Sequence, residues 1–205
     1  MGFVSHAEGG FAIASNDYAH AEGDTTKAAG TASHAEGKGN ANATQEYNDD
    51  TYTGSGAYGS NSHTEGEATW ALAADTHAEG LNTVASGYMS HAEGCATVAS
   101  EDAAHAEGSH TQSSGTASHA EGYYTVADGA YSHAEGSYTL ADNIYSHAEG
   151  HYTQTKGDCA HAEGESTIAS GRSSHTEGTG TIGTGRNVHV SGKYNVSDLP
   201  ECSEF

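Results

Sequence analysis

Polar and small apolar residues alternate along this chain in short bursts that return every 14 residues. Aligned on histidine, the unit reads Ser-His-Ala-Glu-Gly-x-x-Thr-x-Ala-x-Gly-x-x. Its first half puts Ser, Ala and Gly on one side of an extended segment and His and Glu on the other. Its second half alternates Thr and Ala with larger side chains, as in Tyr138-Thr139-Leu140-Ala141. Alternation of period two predicts strands, and the regular glycines predict turns. Two short strands and two tight turns make one flattened coil, and strict repetition of such a unit predicts a solenoid. The fold class expected is therefore all-β, a β-solenoid of 14-residue coils over residues 1–196 with a C-terminal linker over 197–205. The beat fails once: His34 to His63 is 29 residues, two periods plus one, so an irregular inserted coil is expected over 38–62.

In such a coil the gap between the two strands is lined by Ser, Ala and Gly from the first and by Thr and Ala from the second. An interior so thin buries little apolar area per coil. Two outer faces remain. One carries the His and Glu columns. The other carries Ile13, Trp70, Val84, Val98, Val126, Leu140, Ile168 and Ile182, together with a tyrosine column of Tyr124, Tyr138 and Tyr152. A thin roll with two such faces is expected to oligomerise, because His and Glu paired across subunits satisfy one another.

Composition narrows the function classes. Leu, Ile, Val and Phe make up about a tenth of the chain and the formal charge is −22, a balance that signals disorder in a non-repetitive sequence. Register stacking of small residues offsets that signal here. Six Lys and Arg cannot neutralise many phosphates, so no nucleic-acid partner is expected. No apolar run is long enough to cross a bilayer, and no signal peptide precedes Ser5-His6-Ala7-Glu8-Gly9. Cys95, Cys159 and Cys202 occupy different slots of the repeat and form no CxxC pair, which suggests free thiols and assembly in a reducing cytoplasm.

The unit resembles the head repeat of the YadA-like trimeric autotransporter adhesins, whose coil runs Asn-Ser-Val-Ala-Ile-Gly at the same period. Ser90-His91-Ala92-Glu93-Gly94 matches that coil slot by slot, with His in place of Val and Glu in place of Ile. The resemblance covers roughly residues 1–196. It implies a left-handed parallel β-roll and a homotrimer whose Val/Ile face turns to the threefold axis. Carried over, it places a His/Glu ladder on that axis: His6, Glu8, His20, Glu22, His34, Glu36, His63, Glu65, His77, Glu79, His91 and Glu93, then His105, Glu107, His119, Glu121, His133, Glu135, His147, Glu149, His161, Glu163, His175 and Glu177. The apolar face of the second strand is the alternative contact. A narrower resemblance joins the Ser-His-Ala-Glu-Gly variant and the closing stretch His189-Val190-Ser191-Gly192-Lys193-Tyr194-Asn195-Val196 to phage and prophage tail proteins. In those proteins such a roll precedes a self-cleaving intramolecular chaperone.

The chemistry of the ladder admits two readings. Histidines converging with Glu could hold a metal, which keeps a metal-binding repeat protein as an alternative function. A row of identical sites is instead expected to be a structural ladder with imidazolium stabilised by Glu near neutral pH, and no metal or cofactor is assigned. No enzyme activity is expected, because a translationally repeated surface lacks a singular pocket. The candidate ligand surface, for a host-surface glycan or protein receptor, comprises Asn48, Asp49, Asp50 and Tyr52 in the broken stretch and the Tyr124, Tyr138 and Tyr152 column. The function expected is a homotrimeric attachment module of a phage or prophage tail fibre or spike, carried on the virion and assembled in the bacterial cytoplasm. A bacterial surface adhesin head is the alternative.

Overall fold

The computed structural model describes residues 2–39, 44–47, 50–53 and 56–197, with only the main chain for 44–47 and 50–53. The chain is an all-β parallel solenoid with the expected 14-residue spacing. It divides into two units, residues 1–103 and 104–205. The first contains six coils, headed by the strands that begin at His6, His20, His34, His63, His77 and His91. The second contains seven, from His105 to His189.

The coil headed by His133 shows how the sequence produces the fold. Its first strand is His133–Ser137 and its second is Leu140–Ala141. Each strand pairs in parallel with its equivalent in the next coil, His133 opposite His147, Glu135 opposite Glu149 and Leu140 opposite Gln154. Identical residues therefore stack directly above one another. Ser132, Ala134, Thr139 and Ala141 point inward and are essentially inaccessible, whereas His133, Glu135 and Leu140 are only half-buried. The interior expected from the alternation is present for Ser, Ala and Thr. The glycine slot differs: Gly136 is exposed and does not face the interior.

Gly136 instead lies within the first strand, opposite Gly150, at φ 104°, in the left-handed region that a β-carbon disfavours. A β-carbon there would also lie 2.2 Å from the carbonyl oxygen of Gly150 in the next coil. Both causes require glycine. In most coils two further residues, here Tyr131 at φ 58° and Tyr138 at φ 56°, take left-handed conformations without being glycine. Each such L-residue costs roughly 1–2 kcal/mol. Backbone bonds between coils offset that strain: the Tyr138 N–H donates to Tyr123 O at 2.9 Å and the Tyr145 N–H to Ala130 O at 3.0 Å. In several coils the serine before the histidine pins the other turn, with Ser146 Oγ donating to Asn143 O at 2.6 Å and Ser174 Oγ to Gly171 O at 2.7 Å, whereas the Ser90 and Ser132 hydroxyls are buried without a partner.

The tyrosine column is thereby relocated. Tyr124, Tyr138 and Tyr152 occupy left-handed turn positions before the second strand, not the outer face of that strand. Alternation counts sides of a strand and carries no signal for where a strand ends. The apolar column itself is as expected, with Trp70, Val84 and Val98 in register in the first unit and Val126 with Leu140 and Ile168 with Ile182 in the second. Trp70 is buried, in a cluster with Ala68 and Leu72.

The 29-residue gap is not an inserted coil. His34 pairs directly with His63, and Lys27 with Gly56, so the coils on either side are adjacent. The extra residues leave the His34 coil between its first strand, His34–Lys38, and its second, Gly56–Ala57. They include an antiparallel pair, Thr44–Tyr47 with Asp50–Thr53. The true insertion is one period plus one residue within a single coil, and spacing between histidines cannot distinguish that from a second coil. At the other end, Val196–Ser197 still pairs with Ile182–Gly183, so the roll extends through Ser197. The rest of the expected linker, residues 198–205, lies outside the described residues.

Candidate functional site: the histidine–glutamate face

Each histidine of the ladder opens a first strand and its glutamate stands two residues further on, so both side chains project from the same face of the sheet. Within each unit, parallel in-register pairing turns the His-x-Glu matches into two columns. Imidazole rings stack almost face to face within each unit, at 4.8 Å for His63 with His77 and at 4.7 Å for His147 with His161. The first pair departs from this, since His6 meets His20 edge-on. His189 extends the column of the second unit by one ring beyond the predicted set, at 4.7 Å from His175, although its own coil has Ser191 in the glutamate slot.

Glutamates flank the rings at the limit of ion-pair distance. Within a coil, His34 Nε2 lies 3.6 Å from Glu36, His119 Nε2 3.6 Å from Glu121 and His133 Nε2 4.0 Å from Glu135. Between coils, His147 Nε2 lies 3.8 Å from Glu135 and His175 Nε2 3.1 Å from Glu163. Only the last is short enough to be a hydrogen bond. The Nε2 atoms of His34, His63, His77, His119, His133, His147 and His161 are shielded from solvent and accept or donate no hydrogen bond. The ladder is thus tightly stacked but incompletely paired within one chain.

At five histidines the electrostatics run opposite to the imidazolium expected from sequence. Burial holds His34, His77, His119, His147 and His161 below the usual histidine range, and neighbouring imidazoles push the same way, from both sides for His34, His77 and His147 and from one side for His119 and His161. Carboxylates beside them raise the value by less. A charged ring would have to sit against another charged ring, which biases these five toward the neutral form. Glu121, Glu135, Glu149 and Glu163 are linked by carboxyl–carboxylate hydrogen bonds. A hydrogen bond from Glu149 to Glu135, then burial, pushes Glu149 up to about 7. The same bond holds Glu135 low, and Glu163 is held low by its bond with Glu149. Glu121 is raised, first by burial and then by its bond with Glu135.

Several groups on this face bring three metal-type donors within 4.8 Å of one another. They include His20, Glu22 and His34 in the first unit. In the second they are His105, Glu107 and His119; His119, Glu121 and His133; His147, Glu149 and His161; and His161, Glu163 and His175. A groove lined by Glu22, Glu36, Glu65 and the glycines that follow them runs along the face of the first unit.

The predicted ligand surface separates into unrelated parts. Asn48 and Asp49 lie outside the described residues, and Asp50 and Tyr52 lie in the antiparallel pair, opposite Tyr47 and Gln45. The turn tyrosines do form a column, Tyr124 to Tyr138 at 5.3 Å and Tyr138 to Tyr152 at 4.8 Å. His110 extends it at 4.5 Å from Tyr124, a member missed from sequence because it breaks the aromatic identity of the slot. Tyr123 closes one side edge-on to Tyr124 and Tyr138. The inner ring faces are spent on one another, which leaves edges and hydroxyls for solvent and little platform for stacking a sugar. Cys95 and Cys159 are free thiols. No model of a known protein family matches the chain, and no curated protein matches it. The fold and this face therefore carry the functional reading.

Proposed function

We propose that this chain is a structural attachment module, a homotrimeric β-roll of a phage or prophage tail fibre or spike that meets a glycan or protein on the host surface. The observation that carries the proposal is the His/Glu face: half-exposed in one chain, repeated coil after coil, with shielded ring nitrogens left without hydrogen bonds. A desolvated polar atom without a partner is costly, and a second and third copy of the same face supply donors and acceptors at matching spacing. A cyclic seam of this kind needs no unique residue, which suits a repeat better than catalysis does. On this proposal the chain is not an enzyme, works in the virion and is assembled in the bacterial cytoplasm.

The attachment role is tested with fluorescently labelled full-length chain on a panel of intact bacterial strains and their extracted surface glycans. Saturable binding confined to some strains, and competed by unlabelled chain, is the expected outcome. Absence of saturable binding across the panel contradicts the attachment role.

A further inference from the structure

We propose that the His/Glu face also binds borderline divalent transition metal ions, with Zn²⁺ as the representative, in triads made of two histidines from adjacent coils and the glutamate of the first. The triads His119–Glu121–His133 and His161–Glu163–His175 each place two ring nitrogens and one carboxylate oxygen within 4.8 Å of one another. Each triad is complete within one chain, so the proposal does not depend on trimer formation.

Two observations point to a ligand. The donor set is two nitrogens and one oxygen, which suits zinc and its neighbours and not the oxygen-seeking Ca²⁺ or Mg²⁺. The Nε2 atoms of His119, His133 and His161 are also shielded from solvent with no hydrogen bond, although they point along a face lined with carboxylates. A bound cation would occupy those lone pairs. Zinc sits ~2.0–2.2 Å from its donors, so the triad must close by roughly 1 Å, a movement within reach of side-chain torsions. Closure tilts the two stacked rings toward each other and leaves a fourth position for water or for a group from another molecule.

Sharing limits the loading. His119 belongs also to the triad with His105 and Glu107, and one ring nitrogen serves one ion. Neighbouring triads therefore cannot fill together, and ions occupy alternate intervals along the column.

The test uses the full chain stripped of metal, exposed in parallel to Zn²⁺ and to Ca²⁺, with bound metal counted after gel filtration. The expected result is more than one Zn²⁺ per chain, no retained Ca²⁺, and at least one fewer Zn²⁺ in the double variant His119→Gln with His161→Gln. Less than one Zn²⁺ per chain, equal uptake of Ca²⁺, or unchanged zinc in a folded variant overturns the proposal. Should the variant not fold, Co²⁺ added to the wild-type chain decides. Ligand-field bands of nitrogen-and-oxygen coordination support the triads, and the spectrum of hydrated cobalt overturns them.

Discussion

A hydrogen bond between Glu149 and Glu135 of the preceding coil keeps the Glu149 carboxyl protonated up to about pH 7. A group raised in the folded state stabilises it below the unfolded value, near 4.5, and that contribution is lost as the pH rises through 7. Replacing the acid by its neutral isostere, Glu149→Gln, keeps a donor for Glu135 and Glu163 at every pH. We predict that this variant melts higher than the wild type at pH 8 and no higher at pH 5. Thermal melts in the presence of chelator at the two pH values check it, and an equal effect at both contradicts the shared proton.

The histidine column acts in the opposite direction. His34, His77, His119, His147 and His161 are lowered in the folded chain, so their contribution is present above 6.5 and is lost as the pH falls through their depressed values. Five lowered histidines outnumber the two raised glutamates, Glu121 and Glu149. Melting temperature should therefore fall between pH 7 and pH 5 in metal-free buffer. A melt that stays flat from pH 4 to 9 contradicts the stacked neutral column.

The inner Thr column predicts a gain on simplification. Thr139 is fully buried and its Oγ1 has no hydrogen-bond partner. Thr139→Val keeps the branched shape and removes a desolvated hydroxyl, so about 1 kcal/mol of added stability is expected. Urea denaturation of the two proteins measures it. A loss of that size would mean the hydroxyl is paired in solution.

The glycine of the first strand admits no side chain. Gly136→Ala sets a β-carbon 2.2 Å from Gly150 O at a left-handed φ of 104°. Strain and overpacking together should cost about 3 kcal/mol or more. Hydrogen exchange should show the loss concentrated in the coils headed by His133 and His147, because each coil contacts only its neighbours.

Much of this was legible in the sequence for a physical reason. Parallel in-register stacking maps each slot of the repeat onto one column, so the alternation around His133, Ala134 and Glu135 decides what is inside and what is outside. The interior of Ala and Thr, the apolar column through Val126 and Leu140, and the two-strand coil all follow from it. Turn geometry was less legible, since Tyr138 adopts a left-handed conformation that its residue type disfavours and backbone bonds between coils enforce. The insertion after Lys38 was misread because a count of residues does not say where the chain leaves the coil. The lowered values of His34, His77, His119, His147 and His161 were missed for a related cause. Pairing of His with Glu along the sequence is visible, but the closer stacking of His147 on His161 appears only once coils are piled on one another.

We propose the His/Glu face as a seam between copies of this chain. Sedimentation equilibrium of the full chain at micromolar concentration, in chelator at pH 7.5, tests it most directly. The account predicts a single species of three times the 20.9 kDa chain mass, which dissociates when Glu135 and Glu149 are both changed to Lys. A species of 20.9 kDa that persists at high concentration would contradict it.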